Sequence, residues 1–167
     1  RVGWAVGLGA RIGGRSPAAA SVHLRDFRTG DEVLRLDLSG MAENGGYRLV
    51  HRADLVAELA TAVREAGVRL RLGQQVTSVS TGASGVRLEL AEGGHVTAPL
   101  AIAADGVRGV ARAALGPAPE PEFTGQVAWR AIVPLQAPAE PAVQVLMGPG
   151  RHAVLYPLRD RRVMNLV

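Results

Sequence analysis

The sequence predicts an α/β fold: an open sheet flanked by helices that passes into an antiparallel sheet. Three stretches of the 167 residues carry that reading. Residues 100–112, LAIAADGVRGVAR, run from a short apolar segment through Asp105-Gly106 into a segment of helical period, as a buried strand does on turning into a helix. From Ala53 onward, Leu55, Val56, Leu59, Ala62, Val63 and Ala66 recur at three- and four-residue steps. That is the stripe of an amphipathic helix, and Gly67 ends it. After the proline-rich residues 115–121, LGPAPEP, the pattern is strand-like to the end of the sequence.

Residues 1–20 are rich in Gly and Ala without clear period and read as a short helix and a loop. Residues 21–37 alternate apolar and polar positions around Thr29-Gly30-Asp31, a hairpin signature. A loop at 40–46 and a short strand at 47–50 lead to His51-Arg52. Beyond the helix, strands are expected at 68–72 and 75–79, then at 86–90 and 95–98 across Glu92-Gly93-Gly94. This three-stranded excursion precedes a fully apolar, buried strand at 100–104. Past the proline-rich break, strands are expected at 126–133, 142–147, 152–156 and 162–167. The break is taken as the main boundary, dividing the chain into domains 1–116 and 117–167.

Composition excludes several functions. The formal net charge is +4, and all 19 cationic residues are Arg, scattered rather than clustered, with aromatics at 4%. A nucleic-acid surface needs basic residues gathered on one face or interleaved with aromatics. Without Cys there is neither a disulfide nor a thiolate metal site. His23, His51 and His95 fall on separate elements at no ligand spacing, so no metal centre is expected. No run reaches the roughly 18 apolar residues that span a membrane, and a soluble, cytoplasmic protein is the expectation. Gly7-Leu8-Gly9-Ala10-Arg11-Ile12 superficially matches a dinucleotide-binding glycine turn, but no strand precedes it and Ile12 holds the third glycine's place. No Walker loop or Ser-His-Asp grouping stands out.

Asp105-Gly106 is the first candidate site. Ligands of open α/β sheets sit beyond the carboxyl ends of strands, and a helix N-terminus favours anions. Asp105 can meet such a ligand while Gly106 lets the backbone come close. The other reading is an ordinary turn with Asp as a helix cap.

Residues 100–112 resemble the second fingerprint of the FAD-dependent aromatic monooxygenases, the salicylate-hydroxylase-like flavoproteins. Ala104, Asp105, Gly106, Arg108 and Arg112 fit it, and Gly109 stands where that family usually has Ser. Three further blocks resemble the family in the same order: His51-Arg52-Ala53-Asp54-Leu55, then Phe123-Thr124-Gly125 with Trp129-Arg130, and then Gly148-Pro149-Gly150-Arg151-His152 leading to Tyr156-Pro157-Leu158-Arg159 and Asn165. The resemblance covers residues 21–167. It implies a partial Rossmann-like FAD-binding sheet followed by an antiparallel sheet that covers the substrate. It also implies an internal fragment of a longer flavoprotein, inactive alone.

The resemblance assigns roles. Arg52, opening a helix after a strand, is expected to contact FAD; without the family, a surface pair with Asp54 or Glu58 would serve as well. Gln75 and Val76 are expected to pass the adenine. Asp105 and Gly106 serve the FAD pyrophosphate side, and Arg108, with Arg112, helps recruit a dinucleotide phosphate. His152 and Tyr156, four apart on one strand and so on one face, are the expected catalytic pair. A His that titrates near neutrality is a sensible base for a phenol of pKa about 10. Trp129, Arg130, Arg159 and Asn165 are read as structural. The implied activity is insertion of one oxygen atom from O2 into a small aromatic substrate, with FAD and NAD(P)H as cofactors and no nucleic-acid or membrane partner. The alternatives are a non-hydroxylating flavin reductase or halogenase, and a non-catalytic α/β binding module.

Overall fold

The computed structural model describes residues 7–44, 46–117 and 119–167; those before Gly7 and the single positions 45 and 118 lie outside the described residues. The chain divides into two compact units. The first joins residues 1–69 to 127–167, and the second comprises 70–126.

The first unit is built on a six-stranded sheet. A hairpin of β2 (Ser21–Asp26) and β3 (Glu32–Asp37) forms where the alternation around Gly30 calls for one. Gly30 lies at φ 78°, the left-handed geometry such a turn favours. Strands β8 (Ala131–Pro134), β9 (Ala142–Gly148), β10 (Arg151–Leu158) and β11 (Val163–Leu166) complete the sheet in the order β3-β2-β9-β10-β11-β8. Two differences from expectation follow. The sheet takes two strands from before the proline-rich break. It is also not wholly antiparallel, because β2 pairs β9 in parallel, Val22 opposite Val143. The strand expected at 126–133 is confined to Ala131–Pro134.

A short pair of β1 (Ala18–Ala19) and β4 (Tyr47–Arg48) lies nearby in sequence order around a 3-10 helix, Ser39–Asn44. The core gathers Ala19 of β1, Leu49 just after β4, Val143 of β9 and Leu158 of β10, all buried, with Val22, Val145, Val154 and Tyr156 packed against them. Helix α1 (Gly9–Arg15) follows Leu8, and Arg11 ties it to the second helix through Glu65 at 2.6 Å.

Helix α2 (Arg52–Glu65) matches the expected span. His51 caps it, its Nδ1 accepting from the Ala53 amide at 3.2 Å. At the other end Gly67 takes φ 72°, which a side chain would resist, and its amide donates to the Arg64 carbonyl. The expected buried stripe is corrected: among its described side chains none is buried, and Val56 and Leu59 are exposed. Periodicity marks which face of a helix can be covered; what covers it comes from the rest of the structure.

The second unit contains the expected three-stranded excursion, β5 (Val76–Gly82), β6 (Gly85–Leu90) and β7 (His95–Ala98), antiparallel in that order. It also holds a 3-10 helix at Val110–Ala114. The strands expected at 68–72 and 100–104 are corrected. Neither is a strand, and Leu72, Leu100 and Ile102 are 76%, 75% and 87% exposed. Neither an alternating segment such as 68–72 nor an all-apolar run such as 100–104 becomes a strand without neighbours to pair with, and no described strand pairs with either.

Candidate functional site: two cavities and the residues that line them

In the first unit, one row of the sheet runs through Ile132 on β8, Asn165 on β11 and Tyr156 on β10, the three paired directly across the strands. All three line a cavity of about 550 Å³, whose other wall is the first turn of α2 with His51, Arg52 and Val56; Arg130 completes it. Arg52 therefore stands where the sequence placed it, at the opening of a helix and on a cavity. Its expected surface partner is otherwise engaged: Asp54 accepts from Arg159 Nη2 at 2.7 Å and Nε at 2.8 Å. Neither Arg52 nor Arg130 forms an ion pair among the described residues.

Asn165 is 9% exposed, and its Nδ2, itself enclosed, has no hydrogen-bond partner among the described residues, whereas buried amides are almost always bonded. The sequence reading took Asn165 and Arg130 as structural. The overlooked signal was a polar residue inside Val163–Leu166, an otherwise apolar strand.

Tyr156 lines this cavity, but His152 does not. His152 is exposed, opposite Met147 on β9. The alternation of a strand puts the two on one face, yet four residues span about 13 Å. A shared face is therefore not a shared cavity, and the expected pair is not brought together there.

The second unit has its own cavity, about 310 Å³ and mainly apolar, lined by Val76, Val79, Leu88, Ile102, Asp105 and Ala111 among others. Two expected cofactor residues, Val76 and Asp105, thus share one wall. Gln75 is exposed and its carbonyl accepts from the Ala91 amide, a sheet-like role. Asp105 acts as a cap here: its Oδ2 accepts from the Ala111 amide at 3.1 Å, in the first turn of the 3-10 helix. Gly106 sits at φ 80°, Arg108 is exposed, and Arg112 donates to the Val107 carbonyl at 2.9 Å. A side chain at Gly109 would run into the Asp105 carboxylate. That contact explains why Gly stands where Ser was expected: the glycine makes room for the carboxylate to fold back.

One constellation was not foreseen. Ser21 Oγ lies 2.7 Å from His23 Nε2, and His23 Nδ1 lies 2.6 Å from Glu32 Oε2. The Glu32 carboxyl is held below its ordinary value, chiefly by the hydrogen bond from His23 and further by the charges of His23, Arg25 and Arg35, against a desolvation cost. The order of groups matches a Ser-His-acid relay, but Ser21 is 4% exposed and lines neither cavity. Its hydroxyl is closed to substrate, and the network satisfies buried polar groups between β2 and β3. No group of three or more His, Asp or Glu residues among those described is arranged to hold a metal. Among the described residues no helix is long and apolar enough to cross a membrane.

One unit holds a mixed sheet with a cavity against a helix N-terminus and the other a glycine-permitted acidic turn, the makings of an α/β protein of the flavoprotein monooxygenase fold class. Comparison with known proteins makes this specific. A family described as "FAD binding domain" matches residues 6–164, and the chain belongs to it. It is 30% identical over 168 residues to 3-amino-4-hydroxybenzoate 2-monooxygenase of Streptomyces cremeus, covering 95% of this chain and 42% of that protein. It is 38% identical over 113 residues to 6-hydroxynicotinate 3-monooxygenase of Bordetella bronchiseptica, covering 66% and 29%. The structure of Klebsiella pneumoniae HpxO complexed with FAD and uric acid matches with a TM-score of 0.84 at 25% identity, over 98% of this chain and 43% of that one. The chain thus spans about two fifths of the length of the first of these relatives.

Proposed function

We propose that the protein is an FAD-dependent monooxygenase that inserts one atom of O2 into a small aromatic ring, using NAD(P)H as reductant. The observation that carries this reading is the cavity lined by Arg52, Tyr156 and Asn165 within a chain of the FAD-binding family. Relatives named for hydroxybenzoates and hydroxynicotinate supply the substrate class.

The residues present suit FAD. Arg52 offers a guanidinium at a helix N-terminus, a geometry that favours phosphate or ribityl oxygens. The apolar cavity of the second unit, lined by Val76 and Asp105, has a character that suits an adenine ring. When bound, FAD supplies the oxidising chemistry, and the protein supplies orientation and charge. Arg52 and Arg130 put positive charge beside the cavity, which favours the ionised form of a ring hydroxyl or carboxyl there. Tyr156 is placed to orient a ring oxygen through its phenolic hydroxyl. Leu158, Ile132 and Val56 form the apolar surface that an aromatic ring displaces water from. His152, outside the cavity, is given no step. In keeping with a soluble enzyme, we assign it to the cytoplasm.

The test is a reaction of the complete gene product with FAD, NAD(P)H and 3-hydroxybenzoate, following O2 uptake and product mass. Oxygenated product with nicotinamide oxidation supports the reading. Nicotinamide oxidation that yields a reduced or halogenated ring points instead to the reductase or halogenase. Absence of both flavin binding and turnover leaves a binding module.

A further inference from the structure

We infer that Arg159 and Asp54 are a positioning pair: by locking the first turn of α2 to the end of β10, they set where Arg52 stands and so how tightly the protein holds FAD. This rests on the monooxygenase reading above and goes beyond it, because neither residue lines the cavity. The walls of that cavity come from segments far apart in sequence. His51, Arg52, Ala53 and Val56 form one side, and Tyr156 and Leu158 of β10 belong to the other. Asp54 follows directly on Ala53, and Arg159 directly on Leu158, so the pair joins the two walls just outside the space they enclose.

The geometry suits placement. The Arg159 guanidinium donates through Nε to Asp54 Oδ2 at 2.8 Å and through Nη2 to Oδ1 at 2.7 Å. Two contacts fix direction as well as distance, where one would leave the helix free to swivel. The same Nη2 lies 3.5 Å from His51 Nδ1, the atom that accepts the Ala53 amide and caps the helix. Arg52 thus stands between two residues, His51 and Asp54, that Arg159 meets. The pair is open to water, the Arg159 side chain being 49% exposed and that of Asp54 20%. Ion pairs so exposed add little to global stability. What this one supplies is the position of the residue it brackets, and a small displacement of a ligand-holding group is costly to the function it serves.

The test is a double-mutant cycle on the complete gene product, reading FAD dissociation constants by flavin fluorescence in Arg159→Met, Arg52→Ala and the double variant. Arg159→Met alone should weaken FAD about tenfold, and in the Arg52→Ala background by under about twofold, because its effect is carried by Arg52. Arg159→Lys keeps the charge without the two-point contact and should recover only part of the loss. Equal losses in the two backgrounds overturn the inference, as does unchanged affinity in Arg159→Met or full recovery in Arg159→Lys. Where a variant does not fold, the wild-type protein decides: FAD should slow amide exchange at residues 52–55 and 159–162 together, and protection of 52–55 alone overturns the inference. Wild-type protein that binds FAD while the two substitutions act independently sinks the positioning pair alone. Failure of the wild-type gene product to bind FAD sinks the monooxygenase reading instead.

Discussion

Arg159 grips the carboxylate of Asp54 with two hydrogen bonds, 2.7 and 2.8 Å, across 105 residues of sequence. The tie joins the β10–β11 turn to the first turn of α2, the turn that Arg52 opens. Asp54 in turn raises the Arg159 pKa, through the hydrogen bond and then through its charge. The turn needs holding, because Arg159, Asp160 and Arg161 occupy φ 44°, 57° and 64° in succession, the left-handed region costly to residues with a Cβ.

Asp54→Asn should therefore loosen the turn and the start of α2 together. Amide hydrogen exchange should speed up at residues 52–55 and 159–162 while the β9–β10 amides keep their protection. Faster exchange at one end alone would contradict the coupling. Asp160→Gly acts in the opposite sense: removing the Cβ at φ 57° should raise stability by about 0.5–1 kcal/mol, the left-handed cost less the extra entropy of glycine. Denaturant midpoints read this directly.

Gly109→Ala should push the Asp105 carboxylate off the Ala111 amide, since the new methyl would occupy its place. Loss of such a cap costs about 1 kcal/mol. The effect should appear in the second unit, as faster exchange at residues 110–114. An unchanged Ala111 amide would show that the carboxylate has another resting place.

The Ser21-His23-Glu32 network predicts acid sensitivity. Because the folded-state pKa of Glu32 is lowered from 4.5, its contribution to stability is complete above that value and is lost as pH falls through the lower folded value. Urea midpoints should therefore decline below about pH 4.5. Glu32→Gln should flatten part of that decline, and an identical slope in the variant would remove Glu32 from the account.

Arg52→Ala should weaken FAD binding to the complete gene product roughly 10- to 100-fold, the size expected for losing hydrogen bonds from a charged group. Flavin fluorescence quenching measures it. Equal affinity in the variant would mean that Arg52 serves the fold alone.

Local chemistry made much of this legible in the sequence. The Thr29-Gly30 hairpin, the Gly67 stop and the excursion around Glu92-Gly93-Gly94 depend on residues close in sequence, and all three form. Residues 100–104 are an apolar run with no period of its own, and residues 68–72, Val-Arg-Leu-Arg-Leu, alternate as a strand does; either becomes a strand only through neighbours that pair with it, and no described strand does. The parallel pairing of β2 with β9 is a contact between segments some 120 positions apart, with no local signature. Motif resemblance singled out Arg52 and Tyr156 as candidates, and both line one cavity. Asn165 shows in the sequence only as a polar residue inside an apolar strand; that its amide is enclosed without a partner among the described residues is visible only in three dimensions.

The central claim is tested most directly by supplying 18O2 to the complete gene product with FAD, NAD(P)H and a hydroxybenzoate, and weighing the product. The account predicts a ring carrying one added 18O atom for each nicotinamide oxidised. Nicotinamide consumed with hydrogen peroxide as the sole oxygen product across the hydroxybenzoate isomers, or product oxygen drawn from water, would contradict it.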